Sequence, residues 1–128
     1  MKRIIFLTVI CLSALSLLNS CKQMDEYHRR VDAIEIENID LQKVKDGDYS
    51  GEYNAILVNV AVLVKVRDHR ITEIELVRHN NGRGKPAEVI TSSVIEKQSL
   101  AVDTITGATS SSKVILEAIE LALKKGLE

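Results

Sequence analysis

The feature that most restricts how this chain can fold is an alternating run from Ile56 to Val66. Ile56, Val58, Val60, Val62, Val64 and Val66 fall on one face, all β-branched, and Leu57, Asn59, Ala61, Leu63 and Lys65 fall on the other. A period of two predicts a strand, and branching at Cβ suits a pleated backbone while costing rotamers in a helix. A face this apolar has to be covered, most simply by a helix. After Asp68-His69 comes a second run, Ile71-Thr-Glu-Ile-Glu-Leu-Val77. Two residues between two such runs predict a hairpin. The second strand is expected to carry Ile71 and Val77 on the side of Glu73 and Glu75, with Ile74 and Leu76 on the other.

The flanking segments complete the outline. Asp46-Gly47-Asp48 is a turn signal, and Tyr49-Ser-Gly-Glu-Tyr53 reads as a strand whose Gly51 marks a bulge or a close approach of backbone. His79-Asn-Asn-Gly-Arg-Gly-Lys-Pro86 is the most loop-like stretch, and Pro86 suits the first position of a helix running to Lys97 with Ile90, Val94 and Ile95 on one side. Ser110, Ser111 and Ser112 are N-cap candidates for a helix over Val114 to Lys125, whose Ile115, Ala118, Ile119 and Ala122 form a continuous stripe. The expected fold is α+β: an antiparallel sheet of three or more strands around a long central hairpin, with two helices packed on one face. One domain over residues 46–126 accounts for it.

The N-terminus reads as an export signal. Met1-Lys2-Arg3 is a short basic start, and Ile4 to Leu18 is an apolar stretch of signal-peptide length, short of the roughly 20 residues a spanning helix needs. Leu18-Asn19-Ser20-Cys21 resembles a bacterial lipobox, with an aliphatic residue, a small residue and then the cysteine that receives lipid, although Asn19 is unusual there. Residues 1–20 are therefore expected to be a lipoprotein signal peptide, Cys21 the lipidation site, and residues 21–45 a tether ending in a short strand or irregular lead-in. The domain is then anchored in the cell envelope, facing the periplasm or exterior.

Composition removes several classes of function. The formal net charge is −1, and without Lys2 and Arg3 the chain holds 15 basic and 18 acidic residues, with no basic stripe for nucleic acid. There is no Trp, and outside the leader the aromatic residues are Tyr27, Tyr49 and Tyr53. Cys11 lies in the leader, so Cys21 alone makes no disulfide, cluster or thiolate metal site. The three histidines have no metal-ligand spacing, and Gly82-Arg-Gly-Lys85 lacks the spacer and hydroxyl of a nucleotide P-loop. No metal site is expected.

What remains is Asp103 to Ser112. Gly107 allows a sharp bend, Ala108 keeps the bend uncluttered, and Thr106, Thr109, Ser110 and Ser111 place hydroxyls where a helix begins. Free N–H groups and a partial positive charge make a helix start a natural phosphate site. In isolation, such a run most often only caps a helix.

Its neighbours change that reading. Asp46 to Leu123 resembles the FMN-binding domain of bacterial electron-transfer flavoproteins in four landmarks taken in order. These are Asp46-Gly-Asp-Tyr-Ser-Gly51, the hairpin of Val60 to Val66 with Asp68 and Ile71, the loop His79 to Glu88, and Gln98-Ser99 followed by Asp103 and Thr106-Gly-Ala-Thr-Ser-Ser111. The last resembles the family signature Asp-x-x-Ser/Thr-Gly-Ala-Thr-x-Ser/Thr, with Thr106 where many members have serine. The resemblance implies FMN as cofactor, joined through its phosphate to Thr109 by a flavin transferase that uses FAD and magnesium. It implies Asp103 as part of what the transferase recognises, and Gly107 and Ala108 as the bend. His79 is a candidate to tune the flavin ring, and Arg83 or Lys85 to balance flavin or phosphate charge. His69 is expected to be an exposed turn residue, and Tyr49 and Tyr53 to pack on the sheet.

The expected function is an extracytoplasmic electron-transfer lipoprotein fed by a membrane-bound donor, a carrier rather than a stand-alone enzyme, with no catalytic residues of its own. Two alternatives stay open at this point: a flavin-dependent reductase subunit with non-covalent FMN, or a flavin-free binding or assembly lipoprotein that keeps the fold.

Overall fold

The computed structural model describes residues 1–127. Three antiparallel strands, β1 (Gly47–Asn54), β2 (Asn59–Arg67) and β3 (Arg70–Asn80), form one sheet in the order β1-β2-β3. Two helices, α2 (Ile90–Lys97) and α3 (Thr109–Lys124), follow them, and α1 (Lys2–Asp32) precedes them. The α+β reading of the sequence holds.

The alternation of β2 sets the core. Val60, Val62, Val64 and Val66 are all at most 1% exposed and form the inner face, covered by α3 with its buried Val114, Ile115, Ala118, Ile119 and Ala122, while α2 packs beside it on β3 and adds Ile90 and Val94 to the same core. At roughly 25 cal/mol per Å² of apolar surface removed from water, this layer is the main stabilising element. The outer face stays in solvent and is tied by cross-strand ion pairs: Lys65 to Glu73 at 2.9 Å, Arg67 to Asp48 at 2.7 Å, and Arg78 to Glu52. Such exposed pairs help register more than stability.

The hairpin turn is Asp68-His69, with φ of +50° and +58°, as a two-residue connection matching strand twist requires. The Asp46 carboxylate sits beneath this turn and accepts the backbone N–H of Asp68 and of His69, which holds its pKa below the usual aspartate value. His69 is exposed, and its Nδ1 lies 3.1 Å from the Val44 carbonyl.

Several expectations need correction. β2 begins at Asn59, not Ile56: Asn54 Oδ1 accepts the Ile56 N–H at 2.7 Å and Ala55 N–H bonds to the Val58 carbonyl at 2.8 Å. These bonds turn the chain and leave Ile56 at φ +72°, 36% exposed. In β3, strict alternation fails at two register shifts, opposite Lys65/Val66 and opposite Ala61/Val62. Each inserts one residue, a bulge that resets which side chains face inward. Ile71, Ile74 and Leu76 consequently pair with Val66, Val64 and Val62 on the inner face, and His79 pairs with Val60, while Val77 is 63% exposed. The helix expected from Pro86 opens as a 3₁₀ stretch, Lys85–Val89, before α2 begins. Helix α3 starts at Thr109, ahead of the expected Val114, so the serines lie within its first turn instead of capping it.

The lead-in is also more ordered than a tether. Helix α1 runs unbroken to Asp32, and Val31, Ile34, Ile39 and Val44 are buried in the core. Its route past the core is fixed by polar contacts: Asn38 Oδ1 accepts Leu100 N–H at 3.0 Å, and Glu37 N–H donates to Glu120 Oε2 at 2.8 Å. Val44 forms a bridge with Leu127. At its other end α1 exposes Ile4, Ile5, Val9, Ile10, Leu12, Leu17 and Leu18. No helix among the described residues is long and apolar enough to cross a membrane.

Gly51 is the close-approach position the sequence suggested. A Cβ there would lie 1.9 Å from the Ala118 carbonyl oxygen and 2.9 Å from Ala122 Cβ, so α3 rests directly on the β1 backbone. Gly51→Val is expected to lower stability by about 3 kcal/mol or more, the upper range for overpacking, since backbone cannot swing aside as a side chain does. Urea denaturation of the native and variant chains measures this.

Candidate functional site

The site forms where α3 begins. The signature loop reaches Thr109 through Gly107, at φ +79°, a backbone conformation that only glycine adopts without strain. Two further bonds hold the loop. The fully buried Ser112 Oγ accepts the Ile105 N–H at 3.0 Å and donates to the Ala108 carbonyl at 2.8 Å. Ala108 is the N-cap residue and supplies no side-chain hydrogen bond, so the first-turn N–H groups of α3 have no side-chain cap. Cap and signature are thus separate here: the hydroxyl doing structural work is Ser112, and the exposed Thr109 hydroxyl makes no hydrogen bond among the described residues.

The loop after β3 packs against this turn. A Cβ on Gly84 would fall 1.8 Å from Ser111 Oγ, which means the loop backbone lies on the first turn of α3. Between them is a cavity of about 380 Å³ lined by Asn81, Arg83, Gly84, Gly107 to Ser111, Val58 and Tyr27. This volume falls in the usual range for small-molecule sites, about 300–1,000 Å³. Arg83 makes no ion pair among the described residues.

The sequence candidates therefore divide. Gly107, Ala108, Thr109, Ser110 and Ser111 line the cavity together. Asp103 and Thr106 are exposed on the approach to the bend and do not line it. His79 stands behind the cavity: its side chain is 3% exposed, and its Nδ1 is 3.0 Å from Glu88 Oε1 and 3.3 Å from Asn81 Nδ2. The buried Nε2 has no hydrogen-bond partner among the described residues. Lys85 is exposed and outside the lining; Arg83 is the cation that reaches it. Tyr49 and Tyr53 pack under the helices and donate their hydroxyls to the carbonyls of Lys45 and Arg30.

Sequence reasoning missed Asn81, Val58 and Tyr27. Asn81 sits in the quoted loop and nothing distinguished it from Asn80. Val58 read as an ordinary strand residue, and Tyr27 lay in the presumed tether with no local pattern to single it out.

The FMN-binding domain family matches residues 57–124. The chain belongs to that family, and FMN is its cofactor. Comparison with curated proteins gives no match. The residues present suit this group. An uncapped helix start and an arginine with no ion pair among the described residues would meet the negative charge of the FMN phosphate. A cavity of this size has room for a planar ring beside it. Residues 1–56, including α1 and β1, lie outside the match.

The bend and its clasp are separable by mutation. Gly107→Ala is expected to cost about 1–2 kcal/mol through left-handed backbone strain alone, since nothing lies within 4 Å of the added methyl. Ser112→Ala leaves the Ile105 N–H without its partner and is expected to cost about 1–3 kcal/mol. Thermal melting gives both values, and flavin content per chain is expected to fall further in Ser112→Ala than its stability loss explains, because the loop loosens.

Proposed function

We propose that the chain is an extracytoplasmic electron-transfer lipoprotein whose FMN is attached through its phosphate to Thr109. One observation carries this: the exposed, unbonded Thr109 hydroxyl stands at the first position of an uncapped helix, on the wall of a cavity it shares with Arg83.

In the attachment step, the Thr109 oxygen forms a bond to the flavin-side phosphorus of FAD. The pyrophosphate P–O bond breaks, AMP leaves, and the hydroxyl proton passes to a base of the flavin transferase. Thr109 is exposed enough for another protein to reach, and the Gly107 bend presents it without a bulky neighbour. The first-turn N–H groups of α3 would hold the attached phosphoester, and Arg83 would supply a counter-charge. Bound FMN supplies one- and two-electron chemistry at its ring. The protein's part is to hold that ring at a fixed place by its phosphate end.

Location follows from Cys21. It is exposed on α1 immediately after Leu18-Asn19-Ser20, and Ile4, Ile5, Val9, Ile10, Leu12, Leu17 and Leu18 before it are exposed as well. Lipid on Cys21 keeps the domain at the membrane surface, within reach of a membrane-bound donor. The reading as a carrier fits a cavity whose lining provides hydroxyls, amides, one guanidinium, the Tyr27 ring and small apolar groups, without a base–nucleophile pair for substrate chemistry.

Producing the full chain with a flavin transferase tests both parts. A covalent mass gain equal to FMN, with the yellow flavin spectrum, is expected for the native chain and absent in Thr109→Ala. Cys21→Ala is expected to move the protein from the membrane fraction to the soluble fraction while leaving flavin attachment intact. Colourless native protein of unmodified mass would rule out the covalent reading.

A further inference from the structure

The cavity is not built by the family segment alone. Tyr27, on α1 and far upstream of the matched residues 57–124, forms part of its wall. Among the described residues this is the only aromatic ring in the lining, which is otherwise made of Val58, small residues and polar groups. The chain has no Trp and its one Phe is Phe6, so few other flat surfaces exist. Tyr49 and Tyr53 have their hydroxyls committed to carbonyls, whereas that of Tyr27 makes no hydrogen bond among the described residues.

Nor is Tyr27 there loosely. The next turn of α1 is fastened to the domain by two hydrogen bonds. Arg30, braced within the helix by Glu26 at 2.8 Å, donates to the Asn54 carbonyl at 3.0 Å, and Tyr53 donates to the Arg30 carbonyl at 3.3 Å. Val31, one residue on, is 5% exposed in the core. A half-buried ring is thereby held at the edge of the cavity with its polar end free.

We propose that Tyr27 is a flavin-positioning residue, its phenol ring packing against the isoalloxazine of the FMN held at Thr109. The proposal rests on the reading that places FMN in this cavity. A planar, electron-poor ring system gains most from an aromatic surface, and Tyr27 is the one the cavity offers. It makes α1 part of the cofactor site, so the segment that leads toward Cys21 also sets the environment of the flavin.

Contact with a phenol has an optical signature. Light makes flavin a strong enough oxidant to take one electron from a touching tyrosine, and the electron then returns without emission. A flavin packed on Tyr27 is therefore dim, and phenylalanine, much harder to oxidise, does not dim it. The test uses the full chain, made with a flavin transferase, purified in detergent and freed of unbound flavin. Emission per bound flavin is compared for the native protein, Tyr27→Phe, Tyr27→Leu and Tyr49→Phe, whose lost hydroxyl bonds only the Lys45 carbonyl, away from the cavity. Both Tyr27 variants are expected to be several-fold brighter, with Tyr49→Phe as dim as native. Tyr27→Phe removes only a hydroxyl that has no partner, so it keeps the fold and the native absorption bands, whereas Tyr27→Leu shifts those bands toward free FMN. Full flavin loading with unchanged emission in both Tyr27 variants overturns this proposal alone. Covalent flavin retained in Thr109→Ala overturns the cavity reading, and this proposal with it.

Discussion

Helix α3 lies on the backbone of β1 because position 51 has no side chain, and the placement of everything at the site descends from that contact. With Ala118 and Ala122 over Gly51, the helix comes as near to the sheet as backbone permits, and its apolar stripe settles on the valines of β2. Its C-terminal end is then fixed beside Val44 and Lys45, through the bridge to Leu127 and the bond to the Gly126 carbonyl. The N-terminal end is carried to the opposite end of the sheet, beside Val58 and the loop that follows β3. A wider spacing would leave the same residues present and the cavity open.

Once α3 is placed, the signature is shaped by a division of labour among its hydroxyls. Ser112 spends both of its hydrogen-bonding functions on the loop, and Ser111 is pressed against Gly84. The Thr109 hydroxyl, one turn earlier and at the surface, makes no hydrogen bond among the described residues. Its availability therefore comes from the burial of its neighbours. The same economy applies to charge: Lys65, Arg67 and Arg78 on the outer sheet face are paired with carboxylates across the strands, and Arg83 at the cavity makes no ion pair among the described residues.

The segment before β1 belongs to this arrangement as well. Its buried residues Val31, Ile34, Ile39 and Val44 join the core, and its polar contacts reach α3 through Glu120 and the α2–α3 connection through Asn38. Helix α1 therefore meets the domain through a packed joint, with Tyr27 on the cavity side of it.

Period, turn chemistry and an ordered set of motifs were enough to determine the sheet, its hairpin at Asp68-His69, the covering helices and the FMN family, because each depends on neighbours within a few residues. The contents of the cavity could be read only in part. Thr109 and its bend announce themselves locally, but the bulges in β3 that turn His79 inward, the Ile56 turn that shortens β2, and the early start of α3 each result from local patterns yielding to bonds and packing elsewhere. Tyr27 is the clearest case. Nothing around it in the chain distinguishes it from a residue in a tether. It reaches the cavity because Arg30, Tyr53 and Val31 dock the end of α1 onto β1 and the core, contacts between segments that only the folded chain brings within reach.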